Sequence, residues 1–192
     1  MKNIKINTKV LAILSIAVML LSMAFSVISV DAASSAQSSV SMGGMPTGTG
    51  SAVTSVPSGV TPSITVDTRA FLSFQPNPIG VGQTLLVNMW TNPPINPNRF
   101  QIGYTVTIEK PDGTTFTVGP FNSYLADATA YFTFVPDVAG TWRLKFDYSG
   151  AYYPNGTWNT KGYLNTTAET GAYFINSAYY KPDSTERQNL TV

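Results

Sequence analysis

Ala130-Tyr-Phe-Thr-Phe-Val-Pro-Asp-Val-Ala-Gly-Thr-Trp-Arg-Leu-Lys-Phe146 carries two short runs of alternating character. Phe132 and Phe134 flank Thr133; Trp142, Leu144 and Phe146 alternate with Arg143 and Lys145. Side chains on a strand point alternately to its two faces, so each run has one apolar and one polar face. Pro136, Asp137 and Gly140 between the runs are turn formers. The stretch reads as a hairpin, two strands joined by a tight corner, inside a sandwich of antiparallel sheets. Phe132, Phe134, Trp142, Leu144 and Phe146 are then scaffold and not site.

The same pattern extends outward. Ile64-Thr-Val-Asp-Thr68, continuing through Phe74, predicts a first strand, closed by Pro76 and Pro78. Leu85, Val87 and Met89 alternate with Leu86, Asn88 and Trp90, a second strand before the Pro-rich loop 92–98. Ile102, Tyr104, Val106 and Ile108 alternate with Gly103, Thr105, Thr107 and Glu109. Lys110-Pro-Asp-Gly-Thr114 follows, with Pro111 and Gly113 where a tight turn wants them, so 102–119 predicts a hairpin. Residues 121–130 read as a loop, 149–187 as a long aromatic loop, and Asn189–Val192 as a last strand. About seven short strands, Pro/Gly turns and no helical period predict an all-β, single antiparallel β-sandwich over residues 64–192.

Lys2, Lys5 and Lys9 precede an apolar run from Val10 to Val30, closed by Asp31-Ala-Ala33. A basic start, an apolar stretch and small residues describe an export signal over residues 1–32, cleaved after Ala32 or retained as an N-terminal anchor. The expected location is therefore extracellular or at the cell surface. Residues 33–63 are rich in Ser, Thr and Gly without charge or period, and read as a flexible linker or an O-glycosylated stalk. Removing residues 1–32 takes three of the 11 Lys and Arg and one of the 10 Asp and Glu, leaving a nearly neutral 8 against 9. That balance speaks against nucleic acid as a partner. The chain has no Cys and no His. Disulfides, thiol catalysis and His-based metal or acid–base chemistry are excluded, and the sandwich must hold on packing alone.

Asp137-Val-Ala-Gly-Thr-Trp142 resembles the corner of immunoglobulin-like domains, Asp-x-Ala/Gly-x-Tyr-x-Cys. Ala139 fits; Thr141 stands at the Tyr position, Arg143 at the Cys position, and Trp142 arrives one residue late. The resemblance implies a disulfide-free Ig-like or fibronectin-like module. Phe74-Gln-Pro-Asn-Pro-Ile-Gly-Val-Gly-Gln83, the Lys110–Thr114 turn and Ala178-Tyr-Tyr-Lys-Pro-Asp-Ser184 together resemble the N-terminal Ig-like region of large exported archaeal surface proteins. In some of those, β-propeller repeats of the pyrroloquinoline-quinone type follow. No such repeat stands in this chain, so the resemblance implies no cofactor.

Carboxylates are scattered, and no facing pair of the kind a glycosidase needs can be singled out. No run supplies the several oxygens of a calcium site; one on Asp127 or Asp183 would have to borrow loop carbonyls. The reading is non-enzymatic, with no metal. The aromatic tract is the remaining candidate. Tyr152, Tyr153, Trp158, Tyr163, Tyr179 and Tyr180 lie among Asn, Gly and Thr, a composition suited to stacking on sugars. The same rings would equally serve as a satellite core under a long loop. Asn155, Asn165 and Asn189 open N-glycosylation sequons. Three functions follow as expectations: a structural, spacer or adhesion module; a module binding a surface glycan or another surface protein through the 149–181 loop; or, since the sequence ends on a strand residue, an accessory domain of a larger secreted protein. Membrane contact is expected only through an uncleaved N-terminus.

Overall fold

The computed structural model describes residues 41–42, 52–164 and 170–192, all within the compact unit Ser38–Val192. The expected signal or anchor, the linker up to residue 51 apart from Ser41–Met42, and Asn165 lie outside the described residues. The strands run in chain order as β1 (Ser41–Met42), β2 (Ile64–Val66), β3 (Arg69–Gln75), β4 (Leu85–Asn92), β5 (Tyr104–Glu109) and β6 (Thr115–Phe121). Then come β7 (Thr129–Phe134), β8 (Thr141–Tyr148), β9 (Ala151–Tyr153) and β10 (Gly156–Asn159). The last are β11 (Gly171–Phe174), β12 (Ala178–Tyr180), β13 (Asp183–Ser184) and β14 (Gln188–Thr191). No helix occurs among the described residues.

One antiparallel sheet has the order β1-β7-β4-β3, and another β6-β5-β8, with β13 and β14 both on the far edge of β8. Alternation decides what each buries. Leu72 and Phe74, Leu85, Val87 and Met89, and Phe132 and Phe134 point inward from the first sheet. Tyr104, Val106 and Ile108, and Trp142, Leu144, Phe146 and Tyr148 point inward from the second. Their rings meet across the gap: Phe134 lies 5.3 Å from Trp142, and Phe132 5.4 Å from Phe121. Each such side chain contributes about 1.5–3 kcal/mol on burial, and in a chain without Cys this ring contact is the cross-tie between the sheets.

The opening stretch is therefore not a hairpin. β7 pairs with β4 and β8 with β5, so the corner at 135–140 carries the chain from one sheet to the other. Periodicity names the inward residues of a strand but not its neighbour. The corner is held by Trp142 Nε1–H donating to Val138 O at 2.9 Å and by Lys110 Nζ on Asp137 at 2.7 Å. The β5–β6 hairpin follows the sequence reading. Gly113 adopts φ 85°, its N–H donates to Lys110 O at 2.9 Å, and Asp112 Oδ1 accepts from Thr114 N–H at 2.9 Å.

Two other expectations are revised. The strand expected over residues 64–74 is divided: β2 pairs parallel with β12, while β3 pairs with β4. Thr68 is buried at the break, its hydroxyl donating to Lys181 O. The expected loop 149–187 contains β9 to β13. Of these, β9 and β12 form a three-stranded sheet with β2, and β10 and β11 a hairpin. The linker end is also drawn in. Ala52 is buried, and Val53 exchanges two backbone hydrogen bonds with Tyr152, at 3.1 and 2.7 Å. The edge of β9 offers unpaired backbone groups that a neighbouring extended segment can satisfy.

Candidate functional site

The aromatic tract folds by strand parity. In the β9–β12 pair, Tyr152 stands opposite Tyr179 on one face, while Tyr153 with Ala178 and Ala151 with Tyr180 share the other. The second face turns towards the connection between β4 and β5, where Arg99-Phe-Gln101 is wholly buried. Tyr153 packs between Trp158 (5.6 Å) and Tyr180 (5.7 Å), and Tyr163 meets the edge of Phe100 at 5.8 Å.

Buried polar groups tie the tract to the main sheets. Tyr148 O–H donates to Gln101 Oε1 at 2.5 Å. Tyr153 O–H shares its one proton between Phe100 O (2.7 Å) and Gln101 Oε1 (2.8 Å). Trp158 Nε1–H donates to Pro154 O at 3.2 Å, and Tyr180 O–H to Asn96 Oδ1 at 3.2 Å. Burial raises the phenols of Tyr104, Tyr148 and Tyr153 well above the ordinary value for tyrosine, because the phenolate would lose its hydration.

Arg99 is the unexpected member. Its side chain is 1 % exposed, and its guanidinium carbon lies 3.9 Å from the ring centre of Phe174, 4.9 Å from Trp158 and 5.2 Å from Tyr153. One Nη donates to Pro154 O at 3.3 Å, and Nε has no hydrogen-bond partner among the described residues. Among the described residues no carboxylate forms an ion pair with it. Burial lowers its pKa to about 10. The side chain opens on a cleft of about 310 Å³. Ile64, Val66, Ala178 and Tyr180 form one side of it, the same-parity residues of β2 and β12; β11 and the residues after it contribute Tyr173, Phe174, Ile175 and Asn176. Asn96 closes the side next to Arg99.

Of the rings expected to bind a ligand, Trp158 and Tyr153 are fully covered, and Tyr152 and Tyr180 are nearly so. Tyr163 and Tyr179 are half-buried. A covered ring has no face to lay on a sugar; Tyr153, Trp158 and Tyr180 belong to the buried core, and Tyr163 packs against it. Only Tyr180 of the six lines the cleft. The exposed aromatics lie elsewhere: Tyr173 at the cleft, 68 % exposed, and Phe71, which stacks at 5.3 Å on the half-buried Trp90 on the outer face of β3 and β4. Asn155, between β9 and β10, and Asn189, on β14, are exposed. Asp127 and Asp183 are engaged as acceptors for the backbone N–H groups of Thr129 and Ala70. No group of three potential metal-ligating side chains forms among the described residues. Arg99 was invisible to motif reading; its one signal is that no Asp or Glu occurs between Asp67 and Glu109. No protein-family model matches the chain, and neither a curated protein nor a solved structure does.

Proposed function

We propose that the chain is an exported, non-catalytic module built on an Ig-like β-sandwich of the fibronectin kind, with a structural, spacer or adhesion role at the cell surface. The strand order supports the Ig-like reading. β3, β4 and β7 oppose β6, β5, β8 and β14, and the chain changes sheet after β4, after β6 and after β7, as in that class of fold. The observation that carries the functional reading is the direction of the aromatic tract. Its largest rings pack into one continuous core with the two sheets, which makes the long insertion a braced part of a rigid body. Export rests on the basic, apolar and small-residue order of residues 1–33.

The test is to express the full chain with a C-terminal tag in a host with an export pathway and to treat intact cells with protease. The expected result is a surface-exposed domain whose tag is removed without lysis. A tag protected until lysis overturns the reading. A second reading, a surface-ligand module, is favoured by the partly exposed Phe71–Trp90 stack; Leu86, further along the same face of β4, is also exposed. Binding to a glycan panel that is lost in Trp90→Ala but kept in Tyr173→Ala supports it; no binding to any glycan removes it.

A further inference from the structure

We propose that the cleft beside Arg99 is a binding site for a carboxylate-bearing small ligand, with the buried guanidinium as its counter-ion. The proposal rests on the cleft itself and not on where the module works. Taking an ion out of water carries a large cost that cation–π contacts offset in part, without the neutralisation a paired anion supplies. Arg99 has three rings around it and, among the described residues, no anion. Its Nε–H is buried, and nothing among the described residues accepts it. A guanidinium presents five N–H donors in a planar fork that matches a carboxylate. Here the fork is already held by the rings and by the bond to Pro154 O, so little side-chain freedom remains to be lost on binding.

The rest of the cleft describes the ligand. Its volume of about 310 Å³ is at the lower end for small-molecule sites. Asn96 and Asn176 offer amide groups, whereas Ile64, Val66, Ala178 and Ile175 offer apolar contact. Among the described lining residues Arg99 is the one cation, and none is a carboxylate. That single charge suits a monoanion better than a phosphate dianion. A sugar acid and a peptide terminus share this chemistry.

The Arg99 Nε–Hε signal of the full chain, labelled on arginine with nitrogen-15, reports the site directly, and its loss in Arg99→Lys assigns it. The probes are sodium glucuronate and N-acetyl-alanine, with glucose and N-acetyl-alaninamide as neutral controls at fixed ionic strength. One or both acids should shift the signal saturably, and the neutral compounds should not. Saturation by glucuronate alone points to a sugar acid, and by N-acetyl-alanine alone to a peptide terminus. Asn176→Ala, at an exposed position, should weaken binding about fivefold, the equivalent of one hydrogen bond. No saturation by about 50 mM of either acid, far above the roughly 1 mM at which even a weak site fills, overturns the proposal. So does an equal response to the neutral probes. Glu169, two residues before β11 in sequence and outside the described residues, supplies a further check. Glu169→Gln should leave the affinity unchanged; tighter binding in that variant would make the chain's own carboxylate the occupant and overturn the proposal.

Discussion

Gln101 and Tyr148 form the most exacting test of how the aromatic tract is held. Gln101 is fully buried, its Oε1 accepts from Tyr148 O–H and Tyr153 O–H, and its Nε2 has no partner among the described residues. Gln101→Leu removes the acceptor. Tyr153 keeps Phe100 O, but the Tyr148 donor is stranded, at a cost of about 1–3 kcal/mol. Removing the unpartnered Nε2 offsets part of that, so the expected loss is about 1–2 kcal/mol. Tyr148→Phe removes the donor while Oε1 keeps Tyr153, and should cost about 1 kcal/mol. In the double variant neither partner is stranded. Its loss should be no greater than that of Gln101→Leu alone, a coupling of about 1 kcal/mol. Urea unfolding measures this through midpoints at constant slope, and melting temperatures should move by roughly 3–5 °C per kcal/mol for a domain of this size. Strictly additive losses, or a Gln101→Leu variant as stable as the parent, would refute the role given to this bond.

Trp158→Ala should cost about 3–5 kcal/mol, as for any large buried ring, and expose the 154–181 segment to limited proteolysis; an unchanged unfolding midpoint would mean the ring is not core. Gly119→Ala should destabilise by about 2 kcal/mol or more, since Gly119 adopts φ 114° and a Cβ there would lie 2.5 Å from Tyr104 O, read by the same denaturation. Stability should also fall on the alkaline side. The phenols of Tyr104, Tyr148 and Tyr153 have raised folded-state pKa values, so above the unfolded value of about 10 only the unfolded chain ionises. The unfolded state then binds fewer protons, and each tyrosine removes about 1.4 kcal/mol per pH unit, roughly 4 kcal/mol in all by about pH 11. Urea midpoints between about pH 8 and pH 11 check it, and a flat profile would contradict the burial of these hydroxyls.

What could be read from the chain was what alternation and turn chemistry encode locally. The inward sets of β4, β5, β7 and β8 lie at the expected residues, because a period of two is printed in the sequence. Pro111 and Gly113 marked their hairpin for the same reason. The pairing of β7 with β4 instead of β8 was not legible, since two apolar faces look alike whether they share a sheet or oppose each other. β9, β10 and β12 were missed because each is only three or four residues long, too short to show a period. Tyr-Tyr repeats such as Tyr152-Tyr153 and Tyr179-Tyr180 also hide alternation, because both faces carry the same residue type. The ring count drew attention to the tract; composition could not say whether the rings face solvent or core.

Arg99-Phe-Gln101 is where those threads join. Arg99 takes the faces of three rings, Phe100 gives its carbonyl to Tyr153 and its ring to Tyr163, and Gln101 takes two hydroxyls. Three consecutive residues on the β4–β5 connection thus hold the insertion that forms one wall of the cleft. Stability and cleft geometry should then be linked. A ligand that binds only the folded chain raises its stability by about 2.7 kcal/mol at a hundredfold excess over its dissociation constant. Gln101→Leu, which alters no residue of the cleft, should still weaken that ligand, because Tyr153 is then positioned by one acceptor and not two. If the variant lost stability while the Arg99 signal titrated unchanged, the insertion would be braced independently of the cleft, and the fork of Arg99 would owe its orientation to the rings and Pro154 O without help from Gln101.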